Sequence, residues 1–135
     1  MDYLLEKKEI ARINPITVTL NKVAYLVSIS GSDLQVFSAD HGSLIFEQSF
    51  ENIIEDADFY NNPVSISTST FGVFMTDKKV YGVRLNIANE TYRNFQVLGS
   101  RDFEQKPKII RAIKQKSNFK AMLYNDVTDE MEIFT

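Results

Sequence analysis

Residues 16–29 read Ile-Thr-Val-Thr-Leu-Asn-Lys-Val-Ala-Tyr-Leu-Val-Ser-Ile, and this stretch decides the fold class. Its first five residues alternate apolar and hydroxyl side chains, which is the period of a strand with one buried face. After Asn21-Lys22, residues 23–29 form a nearly continuous apolar run that favours an almost fully buried strand. Consecutive strand patterns of this kind indicate an antiparallel β protein.

Turn sequences connect this run to further strands. Gly31-Ser32-Asp33 leads into residues 34–37, and Asp40-His41-Gly42 leads into residues 44–46. Glycine and Asp-X-Gly sequences supply the backbone dihedrals that tight turns need, so these segments predict a three-stranded meander. The same patterns predict a second meander, one more strand and a closing hairpin at residues 64–70, 71–76, 80–85, 91–98, 119–124 and 131–134.

Helical periodicity is confined to three segments. Residues 2–12 form one candidate, stopped by Asn14-Pro15. Residues 50–57 form another, because their apolar side chains fall on one stripe of a helix. Residues 107–116 begin with proline and end with cations, which suits a helix, with a strand as the alternative.

Together these patterns predict one mainly β domain over residues 1–135, with antiparallel meanders in a sandwich or barrel and one to three short helices. The alternative is a set of propeller-blade-like repeats of about 43 residues. It rests on Phe37, Tyr81 and Leu123, which occupy comparable places in three strand pairs. Three such units cannot close a ring that typically needs four to eight blades, so the sandwich or barrel is preferred.

The composition indicates an intracellular protein. Cysteine is absent, which rules out disulfides, thiolate catalysis and cysteine metal sites. The N-terminus has acids beside its few apolar residues, unlike a signal peptide. The longest apolar runs, such as residues 23–27, are far below the roughly 20 residues that cross a bilayer. We therefore expect a cytoplasmic protein without a membrane span.

Few residues suit a catalytic site. His41 is the only histidine, and its sequence context is typical of a tight turn. The sequence has no Gly-x-Ser-x-Gly elbow and no glycine-rich phosphate loop. A cluster of carboxylates near the C-terminus has calcium-type ligands but not the spacing of an EF-hand. Its members are Asp126, Asp129, Glu130 and Glu132. We therefore expect neither an enzyme nor a cofactor nor a metal site, with a carboxylate-based or metal-assisted hydrolase as an alternative.

Charge is distributed unevenly along the chain. Residues 23–77 contain no Lys or Arg and carry a formal charge of −8, whereas residues 78–120 carry +8. One explanation is that folding interleaves the two segments, so that opposite charges meet across strands. In a second, separate acidic and basic faces attract a protein partner or another copy. In a third, the basic segment binds nucleic acid, although the sequence pI of about 5.2 argues against it.

These observations favour a non-catalytic protein-binding or assembly module that forms a homo-oligomer, with complementary acidic and basic halves. We expect the contact at a sheet edge, because residues 131–135 end without a polar tail and residues 64–70 carry no charge. The alternative is a nucleic-acid-binding module that uses the basic 101–120 segment and nearby aromatic rings. Its candidate binding residues are Lys106, Lys108, Arg111, Lys114 and Lys116, and its candidate rings are Tyr92, Phe95, Phe103 and Phe119.

Overall fold

The computed structural model describes residues 15–125 and the backbone of residues 130–134. These residues form eleven strands in three antiparallel sheets. The first sheet contains β1 (Ile16–Leu20), β2 (Val23–Ser30), β3 (Asp33–Ser38) and β4 (Leu44–Ser49). The second contains β5 (Asp56–Phe59), β6 (Ser69–Met75), β7 (Lys79–Ile87) and β8 (Arg93–Asp102). The third contains β9 (Ile109–Gln115), β10 (Asn118–Asn125) and β11 (Glu130–Phe134).

Each sheet is a meander in which every strand pairs with the next one along the chain. The predicted mainly β class with antiparallel meanders is therefore confirmed. The described strands form open sheets, and none of these sheets closes into a barrel. The first meander has four strands rather than three, because β1 also pairs with β2.

The hairpin between β1 and β2 turns at two residues with left-handed backbones. The φ angles of Asn21 and Lys22 are 49° and 65°. A two-residue hairpin loop of this kind matches the right-handed twist of the strands that it connects. The turn therefore sets the register of the hairpin, in which Leu20 lies opposite Val23.

The second sheet lies between the other two. Alternate residues of a strand point to opposite faces, so β6 contributes to two cores. Phe74 belongs to the core shared with the first sheet, together with Val27 and Leu34. Val73 belongs to the core shared with the third sheet, together with Ile110. The three sheets are thus stacked face to face in chain order.

The first strands of the three sheets lie close together at one side of the stack, where β5 contacts both β1 and β9. The backbone N–H of Thr19 donates a hydrogen bond to Asn61 Oδ1 at 2.8 Å. The backbone N–H of Ala112 donates one to Asp58 Oδ2 at 2.7 Å. Polar side chains from β5 and the loop after it therefore satisfy backbone donors on strands of both neighbouring sheets.

The helix predicted over residues 50–57 is wrong. Phe50 and Ile54 lie in a loop and pack into the core between the first and second sheets, which we call the first core. Ala57 belongs to β5. The backbone N–H groups of Phe50 and Ile54 donate to the carbonyls of Ser32 and Gly31 in the turn between β2 and β3. These amides bond to another part of the chain, so apolar spacing alone does not produce a helix here.

The helix predicted over residues 107–116 is also wrong, and the strand given as its alternative is present as β9. Ile110 and Ala112 are buried against the second sheet, whereas Ile109 and Arg111 are exposed. Burial thus alternates with period two, as in a strand with one covered face. The helix predicted over residues 2–12 lies outside the described residues.

One further expectation needs correction. Residues 64–68, predicted as part of a strand, form a loop, and β6 begins at Ser69. The three meanders begin at Ile16, Asp56 and Ile109, and the alternative of propeller-blade-like repeats of about 43 residues stays a prediction.

Candidate functional site

The outer face of the third sheet, which is the face turned away from the second sheet, combines apolar and basic side chains. Ile109 on β9 is 38% exposed and lies opposite Tyr124 on β10. The next pair on this face is Arg111 and Met122. These four side chains line a shallow groove of about 390 Å³. Ile109 and Arg111 in this groove are exposed, whereas both faces of the second sheet are covered by neighbouring sheets.

The third sheet also differs from the first two sheets in its number of described strands. The first two sheets have four strands each, whereas the described residues give the third sheet three. β11 pairs with β10 and lies at the outer edge. Within the described residues β11 pairs with β10 alone, and a contact at this sheet edge stays a prediction.

The outer face of the first sheet carries a row of side chains that crosses all four strands. Leu26 lies opposite both Thr17 and Phe37, and Phe37 lies opposite Leu44. Leu44 is 49% exposed. The acids Asp33 and Glu47 lie on the same face by the register of β3 and β4. This face is therefore partly apolar and acidic.

The two ends of the stack keep charges of opposite sign. The outer face of the first sheet carries Asp33 and Glu47, whereas that of the third sheet carries Arg111 and Lys120. The charged segments do meet at the second sheet, where Lys106 forms an ion pair with Glu55. Folding thus interleaves part of the charge and leaves an acidic and a basic end.

The structure distributes the five predicted binding residues over different surroundings. Lys106 pairs with Glu55, and the charge of Arg111 acts on Asp56 and Asp58. Lys114 lies over the Phe119 ring, with its Nζ 5.6 Å from the ring centroid. The other two, Lys108 and Lys116, are exposed. These cations do not line one common groove in the described structure, and nucleic-acid binding stays a prediction.

The predicted stacking rings are also dispersed. Phe95 is 2% exposed and belongs to the first core. Phe103 and Phe119 pack against the core between the second and third sheets. Tyr92 is half exposed beside the turn before β8. A row of accessible rings along a basic groove, which single-strand binding requires, is therefore not formed by these four side chains.

His41 lies in the exposed turn between β3 and β4, as its sequence context predicts. Its backbone N–H donates a hydrogen bond to Ser38 Oγ at 3.3 Å. Gly42, with φ of 68°, supplies the left-handed residue of this turn. The structure thus gives the Asp-His-Gly segment a role in chain reversal.

The carboxylates near the C-terminus lie outside the part of the molecule whose side chains are described. Among the residues that are described, no three His, Asp or Glu side chains form a group that would hold a metal ion.

Asp56 and Asp58 are the carboxylates with the most unusual environment in residues 15–125. Burial raises the pKa of both groups above its ordinary value. Backbone hydrogen bonds from Ala57 and Ala112, and the charge of Arg111, act in the opposite direction. Asp58 Oδ2 accepts a hydrogen bond from the Ala112 N–H on β9, so the described contacts of Asp58 join the second sheet to the third.

The sequence predictions missed a cleft between the second and third sheets, which is lined by both polar and apolar side chains. Its volume is about 530 Å³. It is lined by Thr19, Tyr60, Asn62, Ser65, Ser67, Ser69, Thr70, Phe71, Arg84, Leu98, Lys114, Ser117, Asn118 and Phe119. We call this the inter-sheet cleft. Its residues come from distant parts of the chain, so no local motif identifies it; the run of hydroxyl residues at 65–70 is the one signal.

Comparison with models of known protein families and with curated proteins found no match. In the described part of the chain, no helix is long and apolar enough to cross a membrane.

Proposed function

We propose that the chain is a non-catalytic assembly module whose stack of sheets is continued by a second copy of the same chain. The observation that carries this proposal is the outer face of the third sheet. Ile109 on that face is 38% exposed, whereas its neighbour Ile110, which faces the second sheet, is fully buried. The second sheet supports the proposal because both of its faces are covered by a neighbouring antiparallel sheet.

Charge favours a second copy as the occupant. The outer face of the first sheet carries Asp33 and Glu47, and the outer face of the third carries Arg111 and Lys120. Stacking the first sheet of one copy on the third sheet of another brings opposite charges together around apolar side chains such as Leu44 and Met122. Charge complementarity of this kind selects the partner and its orientation.

A two-fold axis makes this contact twice in one dimer. The third sheet of each copy then packs on the first sheet of the other, and both contacts form at once. Two copies supply six sheets, within the range of four to eight that propeller-like rings use. The assembly closes, so head-to-tail contacts need not continue into fibres.

The absence of cysteine from the chain allows a direct test by cross-linking. The first strands of stacked sheets contact each other in both observed interfaces, so Thr17 on β1 and Ile109 on β9 should approach across the new one. A bismaleimide should link Thr17→Cys to Ile109→Cys when the two single variants are mixed and allowed to exchange. Each variant alone should give little cross-linked dimer.

Ile66→Cys provides the matched control, because Ile66 is apolar and 73% exposed but lies on a loop outside this face. Mixing it with Ile109→Cys should give no specific product. Equal cross-linking of the two mixtures, or cross-linking of neither, would refute the stacked arrangement.

A further inference from the structure

The inter-sheet cleft has the chemistry of an anion site. The charged side chains among its lining residues are Arg84 and Lys114, and both are cationic. Arg84 on β7 lies opposite Phe71 on β6 and therefore shares the face that is turned toward the third sheet. Lys114 approaches from β9, where it lies over Phe119. One cation thus comes from each wall of the cleft.

Neither cation has a carboxylate partner in the described part of the chain. Ion pairs there join Lys79 to Asp102 and Lys106 to Glu55, away from the lining of the cleft. A guanidinium and an ammonium that face one space without an acid create a positive potential, which an anion lowers. The cleft is open, so that an anion can enter from solvent.

Hydroxyl groups form another part of the lining, and their loop is held in place. Ser67 Oγ donates to the Ser69 carbonyl at 3.1 Å, and Ser65 Oγ accepts from the Ser67 N–H at 3.1 Å. The backbone N–H groups of Asn21 and Lys22 each donate to carbonyls of this loop at 2.8 Å. The loop is therefore ordered by its own contacts, which reduces the entropy lost when a ligand binds.

The remaining lining is apolar and aromatic. Phe71 and Phe119 stack at 5.7 Å between ring centroids, and Tyr60 packs edge-on against Phe119 at 5.5 Å. Leu98 on β8 is 45% exposed at the same cleft. The volume of about 530 Å³ falls in the range of small-molecule sites, roughly 300–1,000 Å³. A ligand therefore needs an anionic group and an apolar or aromatic body.

We propose that the inter-sheet cleft binds a phosphate monoester whose organic part is apolar or aromatic. The dianionic phosphate lies between Arg84 and Lys114, and the hydroxyl groups of Ser65 and Ser69, which donate no hydrogen bond within the described part of the chain, supply further donors. The organic part contacts Leu98 and Tyr60. This site lies between sheets of one copy, so the inference does not depend on the proposed assembly.

Phenyl phosphate is a suitable probe, and its binding to the full chain can be followed by calorimetry and by amide shifts in NMR spectra. We expect saturable binding that is tighter than that of inorganic phosphate or phenol, because each of these lacks one half of the ligand. Adenosine monophosphate and phosphotyrosine amide then distinguish a nucleotide from a phosphorylated side chain as the source of the monoester.

Arg84→Gln and Lys114→Gln should each weaken phenyl phosphate binding about tenfold, as expected for the loss of one charge-assisted contact at a site open to water. Lys116→Gln is the matched control. It removes one positive charge from the same hairpin, at a residue outside the cleft lining, and should change affinity less than about twofold. Circular dichroism and thermal unfolding verify that each variant is folded.

Absence of saturable phenyl phosphate binding would overturn the proposal. So would equal weakening by Lys116→Gln and by the two cleft variants, because binding would then follow total charge. Largest amide shifts away from Arg84, Leu98 and the 60–71 and 114–119 segments would place the ligand elsewhere and would also contradict it.

Discussion

Asp58 Oδ2 accepts a 2.7 Å hydrogen bond from the backbone N–H of Ala112, and this contact joins the first strand of the second sheet to the first strand of the third. The carboxylate is partly buried, and burial raises its pKa. The charge therefore carries a desolvation penalty, while the acceptor oxygen satisfies a backbone donor on β9. These two contributions can be separated by substitution.

Asp58→Asn keeps a side-chain acceptor for the Ala112 N–H, whereas Asp58→Ala removes it. We expect the Ala variant to have a free energy of unfolding lower than the Asn variant by about 1–2 kcal/mol, because a partly buried donor loses its partner. Both variants are uncharged, so the comparison isolates the hydrogen bond. Denaturant unfolding measures the difference, and equal stabilities would show that water replaces the acceptor without loss.

The raised pKa of Asp58 predicts a pH-dependent gain in Asp58→Asn. The folded protein holds this proton at a pH where the unfolded chain, near the ordinary pKa of 3.8, has lost it. This carboxyl group therefore lowers stability as pH rises from 3.8 through its folded-state pKa, and the full penalty is present above that value. The Asn variant lacks the penalty.

Asp58→Asn should thus exceed the wild type in unfolding free energy at neutral pH, and the excess should shrink as pH falls toward 3.8. Paired denaturant titrations at several pH values measure it. An excess that grows on acidification would mean that the folded-state pKa lies below its ordinary value.

Gly72 on β6 lies against the Phe59 ring and leaves no room for a side chain. A Cβ at Gly72 would overlap the Phe59 ring, and Phe59 is itself buried between the first and second sheets. Gly72→Ala should therefore lower stability by about 1–3 kcal/mol, as overpacking does in other cores. The comparison is Gly99→Ala on β8, where an added Cβ has open space. Similar thermal midpoints for the two variants would contradict the close packing.

The strand predictions succeed where a local pattern and a local turn agree. Residues 16–29 show this, because alternation predicts the strands and Asn21 and Lys22 adopt the backbone that their hairpin needs. Residues 50–57 show the limit. Their apolar residues do have helical spacing. The backbone N–H groups of Phe50 and Ile54, however, donate hydrogen bonds to the carbonyls of Ser32 and Gly31, and the local sequence does not predict such tertiary bonds.

Sequence patterns do not predict the order of the sheets or the inter-sheet cleft, because both depend on tertiary contacts between distant residues. Arg84 and Lys114 lie thirty positions apart in the sequence and meet because the second and third sheets stack. The uneven charge distribution is visible in the sequence, whereas its separation to opposite ends of the stack depends on which strands share a sheet.

Lys22 occupies a backbone conformation that favours glycine. At its φ of 65°, the Cβ atom lies close to the following carbonyl oxygen, and glycine has no Cβ atom. Lys22→Gly should raise the free energy of unfolding by roughly 0.5–1 kcal/mol, after the greater freedom of glycine in the unfolded chain is subtracted. Lys22→Ala keeps the strain and should give no comparable gain. Thermal unfolding measures both, and a larger gain from alanine would place the benefit in the loss of charge.

The central claim is that two copies pair through the outer faces of their first and third sheets. Multi-angle light scattering over a range of protein and salt concentrations tests it most directly. We predict a species of twice the 15.5 kDa chain mass that dissociates as ionic strength rises, because the two faces carry opposite charges. A monomer at every protein concentration and every ionic strength would contradict the account.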